Sequence, residues 1–163
     1  MKINKTVIGL TFSMLLVSTV AGAADFGKGL LAAQSGDFKT ALSEWTPLAE
    51  RGHASAQYNM GVMYDDGKGV PESDKTAVKW YTLAAEQGHA KSQYNLGIMY
   101  FEGAGVLTDN RRAYMWVNLS TYNSNDKNGP KAKNIISKKM TPADISKAQD
   151  MSSRCLESGY TDC

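Results

Sequence analysis

Apolar residues recur at helical spacing in two well-marked blocks of the chain. In the first, Ala56, Met60 and Tyr64 fall four apart, on one face of a helix predicted over 54–66. Ala77, Trp80, Tyr81, Ala84 and Ala85 mark the apolar side of a second helix, which Gly88 ends. The first set is expected to face this second helix. Between them, Gly67-Lys68-Gly69-Val70-Pro71 predicts a turn, because glycine accepts positive φ there. Val70 is expected under that turn and Asp74 as the N-cap of the second helix. Gly61 falls inside the first helix, at a cost of about 1 kcal/mol relative to Ala. Close approach of the second helix would compensate, with Trp80 or Tyr81 against the bare backbone. The other block predicts helices over 90–102 and 111–121. Runs of β-branched residues are absent, so the mature chain reads as all-α.

The two blocks are one segment written twice. Gly52-His53-Ala54 returns as Gly88-His89-Ala90, and Gln57-Tyr58-Asn59 as Gln93-Tyr94-Asn95. Gly61 and Tyr64 return as Gly97 and Tyr100, Gly67 and Gly69 as Gly103 and Gly105, Ala77 and Trp80 as Ala113 and Trp116, always 36 residues on. A fixed period of this size marks stacked supersecondary units. Residues 25–52 read as a divergent first unit. Ala41, Trp45 and Ala49 stand 36 before Ala77, Tyr81 and Ala85, but the turn before them is shorter. After a polar break, Ala132, Ile135 and Ile136 mark a short helix. Thr141-Pro142-Ala143-Asp144 is a helix start with Thr as N-cap and Pro at the first helical position. That last helix should run from Pro142 to about Leu156, with Ile145, Ala148, Ser152 and Cys155 inward.

The repeated pattern, Ala-x-x-x-x-(Leu/Met)-Gly-x-x-Tyr, Gly-x-Gly-Val, Ala-x-x-Trp, resembles the Sel1-like repeat, a relative of the tetratricopeptide repeat. The resemblance implies an α-solenoid of antiparallel helix pairs that binds other proteins. The expected organisation is a divergent repeat at 25–52, repeats at 53–88 and 89–124, and a C-terminal helical cap at 129–163.

Residues 1–23 have the make-up of a signal peptide. Lys2 and Lys5 precede a short apolar run, and Ala21-Gly22-Ala23 offers a small-residue cleavage site, with cleavage after Ala23 or Ala24. The run is short of the roughly 20 apolar residues of a spanning helix. An exported product, periplasmic or secreted, with no stable membrane insertion is expected. Removing Lys2 and Lys5 changes the picture of charge. The 18 basic and 16 acidic residues become 16 and 16, which leaves no electrostatic footprint for nucleic acid.

Candidate chemistry is sparse. Cys155 and Cys163, the only cysteines, could be a reactive or metal-binding pair, but their spacing of eight in an exported chain favours a structural disulfide. His53 and His89 occupy one repeat position, in no His/acid motif, and no metal site or cofactor is expected. Ser124-Asn125-Asp126-Lys127 matches Ser-x-x-Lys, without the companion motifs of penicillin-recognising enzymes. The resemblance adds that some exported Sel1-like proteins are associated with β-lactam binding or weak hydrolysis. The missing nucleophile–base constellation points instead to a protein that is not an enzyme.

What remains is a surface. In solenoids of the resembled family, first helices line the concave side. Helical spacing then places Ser55, Tyr58, Val62 and Asp65 away from the second helix, and Lys91, Tyr94, Ile98 and Phe101 at the equivalent places. These residues form an expected groove for a protein or peptide partner on a monomer. Tyr58 and Tyr94 could instead pack between neighbouring first helices. A scaffold bound to cell-envelope polysaccharide is the remaining alternative.

Overall fold

The computed structural model describes residues 24–124 and 128–163. The expected signal peptide lies outside them. Among the described residues there are eight α-helices and no strand: α1 Phe26–Gln34, α2 Phe38–Glu50, α3 Ala54–Asp65, α4 Asp74–Ala85, α5 Ala90–Glu102, α6 Asn110–Asn123, α7 Asn128–Ser137 and α8 Pro142–Glu157. Each of α1 to α6 packs on its sequence neighbours, and α6 also carries α7 and α8. The result is an all-α stack of helix pairs.

Bare backbone brings the two helices of each pair together. A Cβ on Gly61 would lie 2.4 Å from Cε1 of Tyr81, and one on Gly97 would lie 2.6 Å from Cγ2 of Val117. At α1, a Cβ on Gly29 would lie 2.4 Å from Nε1 of Trp45. Trp45, Tyr81 and Val117 are equivalent positions 36 apart. The partner on the bare backbone is therefore Tyr81 and not Trp80. Trp45 and Trp116 are buried, whereas Trp80 is half-buried.

The glycine turns dock each pair on the one before. Gly69 has φ +73°, and a Cβ there would lie 2.7 Å from Cβ of Phe38. Gly105 has φ +68°, and a Cβ there would lie 2.5 Å from the backbone carbon of Asp74. Phe38 and Asp74 are again 36 apart, at the first residue of α2 and of α4. This corrects the expected cap of α4. Ser73 is the N-cap and accepts from the Thr76 N–H at 3.3 Å, while Asp74 is the first helical residue.

The expected facing of the first helix is also corrected. Ala56, Met60 and Met63 pack with Ala41, Trp45 and Ala49 of the preceding α2. Trp80 of α4 packs against the same cluster, and Leu96 and Met99 of α5 share theirs with Met115 and Trp116 of α6. The apolar flank of a first helix thus fills the seam to the previous pair and also meets its own partner. Tyr64 contributes to that seam and to the next cluster.

One buried amide joins each pair to its predecessor. Gln57 Nε2 donates to the Ala49 carbonyl at 3.0 Å, and Gln57 Oε1 accepts from Gln87 Nε2 at 2.6 Å. Gln93 Nε2 donates to the Ala85 carbonyl at 3.0 Å, and Gln93 Oε1 accepts from Asn123 Nδ2 at 2.9 Å. Ala49 and Gln57 return 36 residues later as Ala85 and Gln93, and Asn123 stands at the place of Gln87. These carbonyls belong to the ends of α2 and α4, where each also accepts a backbone N–H, from Gly52 at 3.0 Å and from Gly88 at 2.9 Å. At the second joint, the Tyr160 hydroxyl donates to Asn123 Oδ1 at 2.9 Å.

The C-terminal part closes over α6. Ala148, Ser152 and Cys155 of α8 are buried and Ile145 is half-buried. Thr141 caps α8, accepting from the Asp144 N–H at 3.2 Å. Cys155 is bonded to Cys163 in a disulfide with a Cα separation of 4.7 Å, which folds the tail back on α8.

Candidate functional site

The first helices share one partly apolar face, and three hollows lie along it. The first, about 310 Å³, lies between α1 and α3 and is lined by Leu30, Phe38, Trp45, Tyr58, Val62 and Lys68, among others. The second, about 350 Å³, lies between α3 and α5, where Asp65 faces Tyr94, Asn95, Ile98 and Glu102. The third, about 280 Å³, lies between α5 and α7, with Tyr94, Ile98 and Phe101 opposite Ala132, Ile135 and Ile136. Tyr94 and Ile98 thus border two hollows each.

Tyr58 is placed at a seam. Its ring centroid is 6.1 Å from that of Tyr81 and 4.9 Å from that of His89, and Lys91 Nζ lies 5.9 Å from it. Burial raises the Tyr58 phenol above its ordinary pKa. Tyr58 therefore packs between neighbouring repeats while one side lines the first hollow. Tyr94, Ile98 and Phe101 are half-buried against the cluster of α6 and α7. Ser55 is half-buried and Lys91 exposed, and neither lines the three hollows.

Asp65 has a structural partner. Its Oδ2 accepts from the Tyr81 hydroxyl at 3.0 Å. Burial raises the Asp65 pKa, the Tyr81 hydrogen bond opposes that shift, and Asp66, Asp74 and Glu72 add to it. Its place is at the rim of the second hollow, tied to the second helix of its own pair.

The two histidines are helix caps. His53 Nδ1 accepts from the Ala56 N–H at 3.1 Å, and His89 Nδ1 from the Ser92 N–H at 3.3 Å. That role leaves the ring proton on Nε2. Phe26 stacks on His53 with centroids 5.0 Å apart, as Tyr58 does on His89. Sequence reasoning placed both residues before a first helix but did not see the cap, because histidine is outside the usual N-cap set.

Among the described residues, no group of three or more His, Cys, Asp or Glu side chains could hold a metal ion. The Ser124 hydroxyl donates to the Ser120 carbonyl at 2.9 Å. Asp126 and Lys127, the far end of that tetrapeptide, lie outside the described residues. Two further hollows stand apart from the first-helix face. One, about 740 Å³, lies at the first joint beside Gln57, Trp80, Gln87 and Tyr160. The other, about 420 Å³, is polar and lies at the start of α6 beside Asp109, Arg111, Lys139 and Asp144. No described helix is long and apolar enough to cross a membrane.

Similarity to known proteins agrees with this geometry. The family model of the Sel1 repeat matches residues 54–89 and 90–123. No curated protein matches the chain. Among solved structures, c5321, a protective antigen present in uropathogenic Escherichia coli strains and displaying an SLR fold, superposes with a TM-score of 0.76 at 29% identity. The match covers 81% of this chain and 30% of that one. A Sel1 repeat protein from Oxalobacter formigenes superposes with a TM-score of 0.65 at 26% identity, over 69% of this chain and 46% of that one. The chain therefore spans less than half the length of either relative. The periodic glycines, the fold they build and these matches make residues 54–89 and 90–123 two Sel1 repeats.

Proposed function

We propose that the protein is an exported interaction module that holds a protein or peptide partner on the first-helix face. Residues 25–52 begin the stack as a divergent repeat, and 129–163 close it. The observation that carries this reading is the run of adjoining hollows, with Tyr94 and Ile98 shared between two of them. Stacked repeats supply such extended surfaces, and interface energy concentrates in a few apolar and aromatic anchors. The disulfide supports a life in an oxidising compartment. On this reading the protein acts by binding.

A photoreactive residue at position 98 tests the reading. Crosslinks to a discrete partner, lost on competition with unlabelled protein and absent from a matched probe at exposed Lys147, are expected. Crosslinking of equal yield and pattern from both positions would overturn the groove. A purified protein that opens a chromogenic β-lactam, with Ser124→Ala abolishing turnover, would overturn the non-enzymatic reading.

A further inference from the structure

The third hollow lies against a lysine-rich stretch of the chain. One wall is α5, with Tyr94, Ile98 and Phe101, and the other is α7, with Ala132, Ile135 and Ile136. Ile135 is 54% exposed although it stands on this apolar wall. Between Asn128 and Ala143 the sequence holds four lysines and no carboxylate. Lys131 lines the hollow, and Lys139 Nζ lies 4.7 Å from the Phe101 ring centroid. Lys133 is engaged elsewhere, donating to Asn118 Oδ1 at 2.7 Å. Lys131, Lys138 and Lys139 have no ion pair among the described residues.

Nearby acids offset this charge only in part, since Glu102, Asp109 and Asp144 stand against Lys131, Lys138, Lys139, Arg111 and Arg112. Asp109 accepts from the backbone N–H groups of Arg111 and Arg112, and Asp144 from the Thr141 hydroxyl. Both carboxylates line the neighbouring polar hollow, where Arg111 and Lys139 also stand, and Arg112 lies 3.8 Å from Asp109. Glu102 lines the hollow from the α5 side, as Lys131 does from α7, and no ion pair joins the two.

Resting on the groove reading above, we propose that the α5–α7 hollow receives an acidic peptide segment, with one large apolar side chain inserted and flanking carboxylates held by Lys131 and Lys139. Complementary charge beside a desolvated anchor gives such a site its selectivity. A basic segment would meet two unpaired ammonium groups. A polyanion without an apolar anchor would leave the hollow empty and expose Ile135 as before.

Panning the purified protein against a random dodecapeptide library tests this. Enriched sequences should carry Asp or Glu around a Leu, Ile, Phe or Trp. A fluorescent copy of one such peptide should bind about tenfold more weakly to the Lys131→Glu/Lys139→Glu variant, equivalent to about 1.4 kcal/mol. It should also bind more weakly at high salt. Lys147→Glu, an exposed change on α8, should leave affinity unchanged, and both variants should keep the parent melting temperature. Enrichment of neutral or basic peptides would overturn the acidic assignment. So would acidic peptides indifferent to the lysine reversal. If binding ignores the lysines but is lost in Ile98→Asp, the groove stands and its charge preference falls. If Ile98→Asp is also without effect, or no peptide is enriched, the acidic-peptide site falls, and crosslinking from position 98 decides the groove independently.

Discussion

The ring of Tyr81 occupies the space that a side chain on Gly61 would need, with only 2.4 Å between its Cε1 and the place of a Cβ. The distance between the two helices of that pair is set by this contact. In the next pair, Gly97 meets the smaller Val117 and also the Ala113 carbonyl, at 3.0 Å.

Gly61→Ala should therefore destabilise the protein, although alanine is the better helix former by about 1 kcal/mol. Overpacking should outweigh that gain and leave a net loss of about 1–3 kcal/mol. Urea denaturation measures it. The double variant Gly61→Ala/Tyr81→Val should lose less than the sum of the single variants, since the two positions are coupled.

Gln93→Leu should cost about 1 kcal/mol by removing one of the two donors to the Ala85 carbonyl, which keeps the Gly88 N–H, and the acceptor of the Asn123 amide. Gln57→Leu breaks the equivalent joint, where Gln87 can still donate to the Leu83 carbonyl at 3.0 Å. The smaller loss is expected there. Equal losses in chemical denaturation would contradict the link from Gln93 through Asn123 to Tyr160.

Stability should fall on mild acidification through His89. Burial, then the charge of Lys91, lowers its pKa in the folded protein. The neutral ring is the form that caps α5. Its contribution is complete above the unfolded value near 6.5 and is lost as pH falls through the depressed folded value. Asn caps without titrating, so the His89→Asn variant should show a flatter profile of melting temperature between pH 7 and pH 5. Identical slopes for parent and variant would remove His89 from the pH response.

Reduction of Cys155–Cys163 should destabilise the chain by about 2–3 kcal/mol on the loop-entropy account, since the bridge closes a short loop. Amide exchange should rise first in the tail and at the end of α8. A rise confined to α1 and α2 would contradict the local role.

The 36-residue period exposed α3 to α6 and the glycines inside their first helices, but left the partner of Gly61 between Trp80 and Tyr81, because Tyr81 recurs as Val117. Gly29 escaped notice for a countable reason. The shortened turn puts it 32 residues before Gly61, while Trp45 stays 36 before Tyr81, so no single period aligns both. The recurrence of Gln57 as Gln93 was plain, but its meaning needed the carbonyls of Ala49 and Ala85, which belong to the previous pair. The place of α7 beside α5 was illegible because α7 has no counterpart in the repeat. That same helix supplies one wall and the lysines of the third hollow.

The two joints are equivalent in position, and Tyr160 of the disulfide-bound tail borders the hollow at the first but donates its hydrogen bond at the second. This gives the stack a direction of failure. Thermal or mechanical stress should part α2 from α3 while α4 to α8 still hold together, so the hollow between α1 and α3 is lost before the one between α5 and α7. A partner gripping only the C-terminal end would then stay bound to a half-open molecule.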